Sequence, residues 1–182
     1  MPGVILRGDT AVGENCVIGP NALLENVTLG DGCTVNASQL YDAKVGGGAI
    51  VGPFAYVRPG TVIGDNVKIG DFVEIKNSTI GDGTKVPHLT YVGDSDVGKS
   101  VNFGCGTAIC NYDGVKKHRT TIGDGVFLGC NTNLVAPVQV GDRAFTAAGS
   151  TITDNVPPQA LGIARARQAN KRDWVKRRLN KR

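Results

Sequence analysis

The stretch VGGGAIVGPFAYVRPGTVIGDNVKIGDFVEIK (residues 45–76) sets an aliphatic residue at every sixth position: Val45, Val51, Val57, Ile63, Ile69 and Ile75. Six is neither the period of an amphipathic helix nor the alternation of a half-buried strand. It is the spacing of hexapeptide repeats, which build a parallel β-helix. Each short flat strand then turns one aliphatic side chain inward. A glycine follows many of these ladder positions: Gly46, Gly52, Gly64, Gly70, Gly98, Gly104, Gly123, Gly129 and Gly141. Its expected role is to let the chain turn a corner without Cβ strain.

Working outward, Val12, Ile18 and Leu24 also step by six, followed by Leu29 and Val35. The PGVI stretch at Pro2–Ile5 already reads as repeat, so the chain is expected to begin inside a coil, with an upstream portion missing. Residues 36–44 blur the period. Five-residue steps reset it at Ile80, which leads to Val86 and Val92, and at Val97, which leads to Phe103 and Ile109. A second ladder, Ile122, Leu128, Leu134 and Val140, resumes at Ile152 with Thr146 in the gap. Between the two, NYDGVKKHR (111–119) breaks the repeat and reads as an excursion loop, the kind of segment a rigid stack positions for function. Pro157-Pro158 marks the end of the pattern.

The expected fold is therefore all-β: a left-handed parallel β-helix over residues 1–155, in eight or nine coils of about 18 residues, and a basic tail over 156–182. The left hand belongs to the hexapeptide motif and departs from the right-handed crossover rule. Flat faces and two open ends invite association.

Composition narrows the function classes. No apolar run is long enough to cross a bilayer and no charged-then-apolar leader opens the chain, which argues against a membrane span and against secretion. Five cysteines without a CxxC pair read as reduced thiols of a cytoplasmic protein, not as a disulfide framework or zinc site. The net charge of +4 hides an asymmetry: residues 1–164 hold 11 Lys/Arg against 15 Asp/Glu, whereas residues 165–182 hold nine Lys/Arg and only Asp173. Such a run is usually solvated surface; its functional alternatives are a phosphate-bearing ligand, an anionic partner or nucleic acid. With Trp174 as the tail's one aromatic and an acidic body, the nucleic-acid footprint is weak.

His88 lies between the ladder positions Val86 and Val92, where its side chain can leave the coil. A neutral imidazole, with a pKa of about 6.5, suits removal of a proton from an amine attacking a thioester, although a lone histidine is more often structural. Arg58 and Lys76 stand three hexapeptides apart, one full coil, so they stack on adjacent coils with the same facing. A phosphate is the natural guest between them; the alternative is two surface cations paired with carboxylates such as Glu74. Tyr91, Asn102, Asn111, Tyr112 and Lys117 add polar groups nearby, while Asn-Tyr-Asp-Gly by itself is a turn. His118, among Lys116, Lys117 and Arg119, reads as a solvated loop histidine whose protonated form is disfavoured.

Several segments together carry a resemblance: HLTYVGD (88–94), VNFGCGTAICNYDG (101–114), LVAPVQVGD (134–142), YVRPGTVIGD (56–65), FVEIKN (72–77) and ALGIARARQ (160–168). Over essentially the whole chain they resemble the acetyltransferase domain of the bacterial bifunctional enzyme N-acetylglucosamine-1-phosphate uridyltransferase/glucosamine-1-phosphate N-acetyltransferase. The resemblance implies acetyl transfer from acetyl-CoA to the 2-amine of glucosamine 1-phosphate by a cytoplasmic homotrimer with active sites between subunits. With no metal-ligand cluster, no apolar span and a weak nucleic-acid footprint, no metal, membrane or nucleic-acid partner is expected, and nothing in this chain corresponds to that family's uridyltransferase domain. His88 is then the general base, Arg58 and Lys76 grip the sugar phosphate, and Tyr91 and Asn102 contact the amino sugar. Lys117 reaches the substrate from a neighbouring subunit. Asn111, Tyr112, Cys105, Cys130, Ala148 and Arg165 fall on acetyl-CoA positions, with Cys105 and Cys130 standing where Ala and Ser are familiar. Oxyanion donors are expected near Asn111 and the Gly104–Cys105 backbone.

Four other readings compete, and the histidine count excludes the usual form of the third. Acyl transfer to another amino sugar or a nucleotide-linked sugar uses the same architecture. A covalent route would acetylate Cys105 or Cys110. A zinc-dependent hexapeptide carbonic anhydrase needs three histidines where this chain has two. A β-helix without catalysis would have no use for Arg58, Lys76 and His88 together.

Overall fold

The computed structural model describes residues 1–179; residues 180–182 of the expected tail lie outside the described residues. Each repeat forms a strand of two to four residues followed by a turn, and 26 such strands pile into three parallel sheets of nine, eight and nine strands. Up to the last coil each strand pairs with the strand three further along the chain, so one coil visits each sheet once. The chain is a left-handed parallel β-helix of about nine coils. A coil takes three six-residue steps where Tyr56 pairs with Glu74 and is one residue shorter where Val62 pairs with Thr79, which is what the five-residue steps produce. Across the excursion loop Asp96 pairs with Thr121, so the extra residues leave at a corner and the register closes behind them.

The core is a set of like-on-like columns. Along the first sheet Leu24, Leu40, Val57, Ile75, Val92, Ile109, Leu134 and Ile152 stand one above another, all buried. Residues 36–44, irregular by period, fold regularly: Leu40 enters the core from the strand Gln39–Tyr41, between two five-residue steps. Val12 and Ile18, in the first described coil, are not fully buried. The gap at Thr146 is filled by its hydroxyl, which accepts from the Gly129 amide at 3.1 Å and meets the Thr132 hydroxyl at 3.0 Å.

The structure corrects the expected reason for the repeat glycines. Of the nine, only Gly52 has a left-handed backbone, with φ of 105°. The others lie where the next coil leaves no room: a Cβ on Gly46 would approach the Asp65 amide to 2.8 Å, and one on Gly123 the Asp142 amide to 2.7 Å. The left-handed corners fall nearby, often on asparagine, as at Asn66 and Asn131.

The stack also runs past the expected boundary at Asn155. Val156 bridges Val140, and Leu161–Gly162 pairs with Phe145–Thr146 to add a strand to the third sheet. In the tail, Trp174–Leu179 forms a short helix with no buried residue, where only solvated chain is expected from the sequence. All five cysteines are unpaired. No helix among the described residues is long and apolar enough to cross a membrane.

Candidate active site

Two strands of the third sheet, Lys68–Asp71 and Lys85–His88, are four residues long and align Asp71 with His88. The pairing of Lys85 with Asn102 carries that register to Cys105. The Asn131 amide bonds the Cys105 carbonyl and the Gly149 amide bonds the Cys130 carbonyl, each at 2.8 Å, which extends it to Cys130 and Ala148. Asp71, His88, Cys105, Cys130 and Ala148 thus descend one corner on successive coils. The line is tightly built: a Cβ on Gly70 would strike the Pro87 carbonyl, and one on Gly129 the Ala148 amide.

The residue after each member of the line is left-handed. Beside His88 these residues are bulky, Phe72 at φ 55° and Leu89 at φ 45°. Such conformations cost of order 1–3 kcal/mol each and persist only where surroundings impose them. Phe72 stacks on Phe54 with ring centroids 5.5 Å apart, and Phe54, Phe72 and Leu89 form an exposed apolar edge along the corner. His88 projects with more than half of its side chain exposed, and its Nδ1 lies 2.7 Å from Asp71 Oδ1. That ring bond is the chief reason the Asp71 carboxyl sits below the ordinary carboxylate range.

Around the corner, on the first sheet, Arg58 and Lys76 do share one face. Each also has a carboxylate: Arg58 Nη1 is 2.8 Å from Glu74 Oε1, and Lys76 Nζ is 3.2 Å from both oxygens of Asp94. Both cations are therefore held in the ion pairs that the sequence offers as the alternative to a bound phosphate. Asp94 is the hub of this face, with 6% of its side chain exposed. Burial pushes its carboxyl up, but Asn77, Lys76 and Asn111 donating together hold it below the usual value.

Asn111 departs from expectation. Its Nδ2 donates to Asp94 Oδ2 at 2.5 Å and to the Tyr91 hydroxyl at 3.3 Å, and the residue is buried. Its amide donors are therefore spent inside the fold. Gly93 makes room for this contact, since a Cβ there would come within 2.6 Å of Asn111 Nδ2. The Gly104 amide is likewise consumed, donating to the Leu128 carbonyl at 2.8 Å. Of that pair only the Cys105 amide has no backbone acceptor among the described residues. Asn102 lies on the third sheet between Lys85 and Phe127, on the opposite side of the corner from Tyr91.

The loop is a built object. Asp113 accepts from the amides of Lys116 at 2.7 Å and Val115 at 2.8 Å and pairs with His118 Nε2 at 2.7 Å, so its carboxyl lies far below the usual range. His118 is thus a half-enclosed clip with a carboxylate partner, not a solvated histidine. Tyr112 bridges Lys117, donates its hydroxyl to the Gly114 carbonyl at 2.7 Å and is otherwise exposed. Arg119 pins the returning stem, gripping Asp96 at 2.9 and 2.5 Å and the Asn77 carbonyl at 3.2 Å. This brings Lys117 beside Lys76 of its own chain, whose ammonium pushes the Lys117 amine below the ordinary lysine value. The resemblance assigns Lys117 to a neighbouring subunit's site; within the single chain it joins the Arg58–Lys76 face. Arg165 is exposed and lays its stem over Gly149, next to Ala148.

Sequence reasoning missed Asp71, Asp94 and Arg119. The available signal was coil length: Asp71 to His88, Asn77 to Asp94 and Asp94 to Asn111 are each 17 residues apart. Chemically, the arrangement offers a histidine base with a carboxylate behind it, a cationic face for an anionic group and a long corner with an open amide.

Residues 42–147, more than half of the chain, match the family described as the GMPPB C-terminal domain, and residues 10–37 match the hexapeptide repeat of succinyl-transferase. The chain is 61% identical over 174 residues to the bifunctional protein GlmU of Brevibacillus brevis, covering 96% of the chain and 38% of that protein. It is 58% identical over 181 residues to GlmU of Caldanaerobacter subterraneus, covering 100% and 40%. The chain therefore spans about two fifths of the length of these curated relatives. Among solved structures, LpxA, a UDP-N-acetylglucosamine acyltransferase from Bacteroides fragilis, superposes with a TM-score of 0.59 at 20% identity, over 88% of this chain and 69% of that one. Perosamine N-acetyltransferase from Caulobacter crescentus, in complex with CoA and GDP-perosamine, gives 0.57 at 23%, over 64% and 53%. These two likenesses are of fold. The chain belongs to the hexapeptide-repeat family described as the GMPPB C-terminal domain, with bifunctional GlmU proteins among its homologues.

Proposed function

We propose that this chain transfers the acetyl group of acetyl-CoA to the 2-amine of glucosamine 1-phosphate, giving N-acetylglucosamine 1-phosphate for UDP-N-acetylglucosamine synthesis. The observation that carries the reading is a carboxylate-backed His88 at the corner leading into the sheet that bears the Arg58–Lys76–Lys117 face. High identity to bifunctional GlmU proteins supports it, as does the CoA held by a structural neighbour.

Arg58, Lys76 and Lys117 bind the sugar phosphate, the first as a planar fork and the lysines as point charges. Glu74 and Asp94 let these cations stand together before the anion arrives. Tyr91 and Asn102, on the two sides of the corner, orient the sugar. His88 takes a proton from the amine as its nitrogen attacks the thioester carbonyl carbon. A tetrahedral oxyanion forms, stabilised by the Cys105 amide. The C–S bond then breaks, and the CoA thiolate leaves with the proton from the imidazolium. The donor lies along Cys105, Cys130 and Ala148, with Tyr112 at the loop and Arg165 toward its phosphates. Holding both substrates in one cleft supplies much of the rate.

A neighbouring copy completes the cleft in this reading: the apolar edge Phe54–Phe72–Leu89 beside His88 is the surface that a homotrimer would cover. The acetyltransferase unit acts in the cytoplasm, without metal or nucleic acid. Direct transfer is preferred to an acetyl-cysteine route because the His88 ring is engaged by the Asp71 carboxylate at 2.7 Å, which leaves its other nitrogen for the substrate amine. The test is free-thiol release from acetyl-CoA with glucosamine 1-phosphate and with unphosphorylated glucosamine. Strong turnover with the phosphate alone is expected. Equal turnover would point instead to a different amino-sugar acceptor and remove the role given to Arg58 and Lys76.

A further inference from the structure

Behind the proposed base stands a carboxylate that the reaction scheme does not use. We infer that Asp71 is a positioning residue: it holds the His88 ring with the proton on Nδ1, leaving Nε2 as the nitrogen that accepts the substrate proton. The inference rests on the acetyl-transfer reading for its catalytic meaning, but its structural half stands alone.

Hydrogen-bond capacity fixes where the ring carries its proton. An ionised carboxylate is an acceptor only, so a ring nitrogen 2.7 Å from Asp71 Oδ1 must carry hydrogen. Asp71 is held in the ionised state. In the neutral imidazole the lone pair is then confined to Nε2. Without a partner the ring is free to take either tautomer and to swing about its side-chain bonds, since more than half of it is exposed.

The fold supplies the geometry without help from loops. Asp71 and His88 are register partners at the ends of the two four-residue strands, so their separation is set by the coil-to-coil spacing. The left-handed residues Phe72 and Leu89 turn the chain immediately after each of them. Gly70 allows this approach, because a Cβ there would push the Pro87 carbonyl, and the His88 coil with it, away. Thr90 anchors the far side, its hydroxyl donating to the His88 carbonyl at 2.7 Å. The charges facing the pair are few: Lys68, on the same strand as Asp71, is the other cation acting on this carboxylate. Because both partners are partly solvated, Coulomb attraction between them is screened. Orientation and choice of tautomer remain as the main contribution.

The experiment uses Asp71→Ala and the conservative Asp71→Glu. First, nitrogen NMR of the His88 ring is recorded on the unliganded protein above the histidine titration, with His118→Gln identifying the second histidine. Wild type is expected to show the Nδ1–H form, Asp71→Ala a shift toward Nε2–H, and Asp71→Glu a return toward wild type. Second, steady-state acetyl transfer is measured. The Asp71→Ala variant should lose about 10–100-fold in kcat with KM for both substrates within about threefold, as for carboxylates that orient a functional histidine. An unchanged tautomer in Asp71→Ala overturns the inference, and so does an unchanged kcat. If wild type itself transfers no acetyl group to the sugar phosphate, the functional reading fails while the tautomer result still decides the structural half. Circular dichroism and the melting midpoint check that the substitutions at half-buried Asp71 leave the fold intact.

Discussion

Asp94 and His88 show two ways in which one side chain controls this site. His88 is exposed and backed by Asp71, so replacing it with Ala should spare the fold and reduce turnover by about two to four orders of magnitude. Near-normal turnover of that variant would remove it as the base. Asp94 is buried, and its native carboxyl titrates below the unfolded value of about 3.9. A depressed carboxylate contributes stability that is fully present above the unfolded pKa and is lost as pH falls through the folded one. Urea unfolding should therefore show wild type losing stability below about pH 4 more steeply than Asp94→Asn. At pH 7 the variant should be weaker by about 1–3 kcal/mol, since Lys76 and Asn111 lose their acceptor. At this scale the stacking of Arg58 on Lys76 was legible from their one-coil spacing, and His88 stood out as a candidate from its place between two ladder residues. Asp71 and Asp94 did not. An Asp beside a glycine reads as a turn, and only the coil shortened by one residue brings each to its partner.

The excursion loop supplies Lys117, one of the three cations of the Arg58–Lys76–Lys117 face. Its inner end is closed by Asp113 and His118, and its return is clamped by Arg119 on Asp96. Arg119→Ala is expected to leave the melting midpoint nearly unchanged and to raise KM for the phosphorylated acceptor about fivefold, roughly 1 kcal/mol of lost placement of Lys117. An unchanged KM would detach the clamp from the site. The sequence located this loop because it breaks the six-residue period. It did not reveal the clamp, because Arg119 and Asp96 are neighbours only after the loop has closed. The repeat glycines teach the same lesson. Their positions were visible, but the reason was assigned to backbone freedom, whereas the limiting contact is with a residue a coil away. The end of the stack was misplaced at Asn155 for a related cause: Val156 and Leu161 complete the last coil through pairing, not through period.

At the scale of the molecule, each coil touches only its neighbours, so the stack behaves as a one-dimensional array of nearest-neighbour contacts. The period of six made that architecture legible from residues 45–76 alone, whereas the left hand came with the motif and not from any local propensity. If the proposed homotrimer covers the apolar edge beside His88, light scattering should report a particle of three times the 19.0 kDa chain mass. Charged substitutions at Phe54 and Phe72 should reduce it to the single chain and lower activity together with it. Activity retained by the single chain would place the complete site within one copy. Acetyl transfer to the amine of a sugar phosphate is addressed most directly by a single-turnover experiment: purified chain, acetyl-CoA carrying label in the acetyl group, and glucosamine 1-phosphate, resolved by mass spectrometry. The label is expected to appear as the N-acetyl group of the sugar phosphate, with none on the protein at any time point. Label retained on a cysteine, or an unmodified sugar phosphate beside intact acetyl-CoA, would contradict direct transfer.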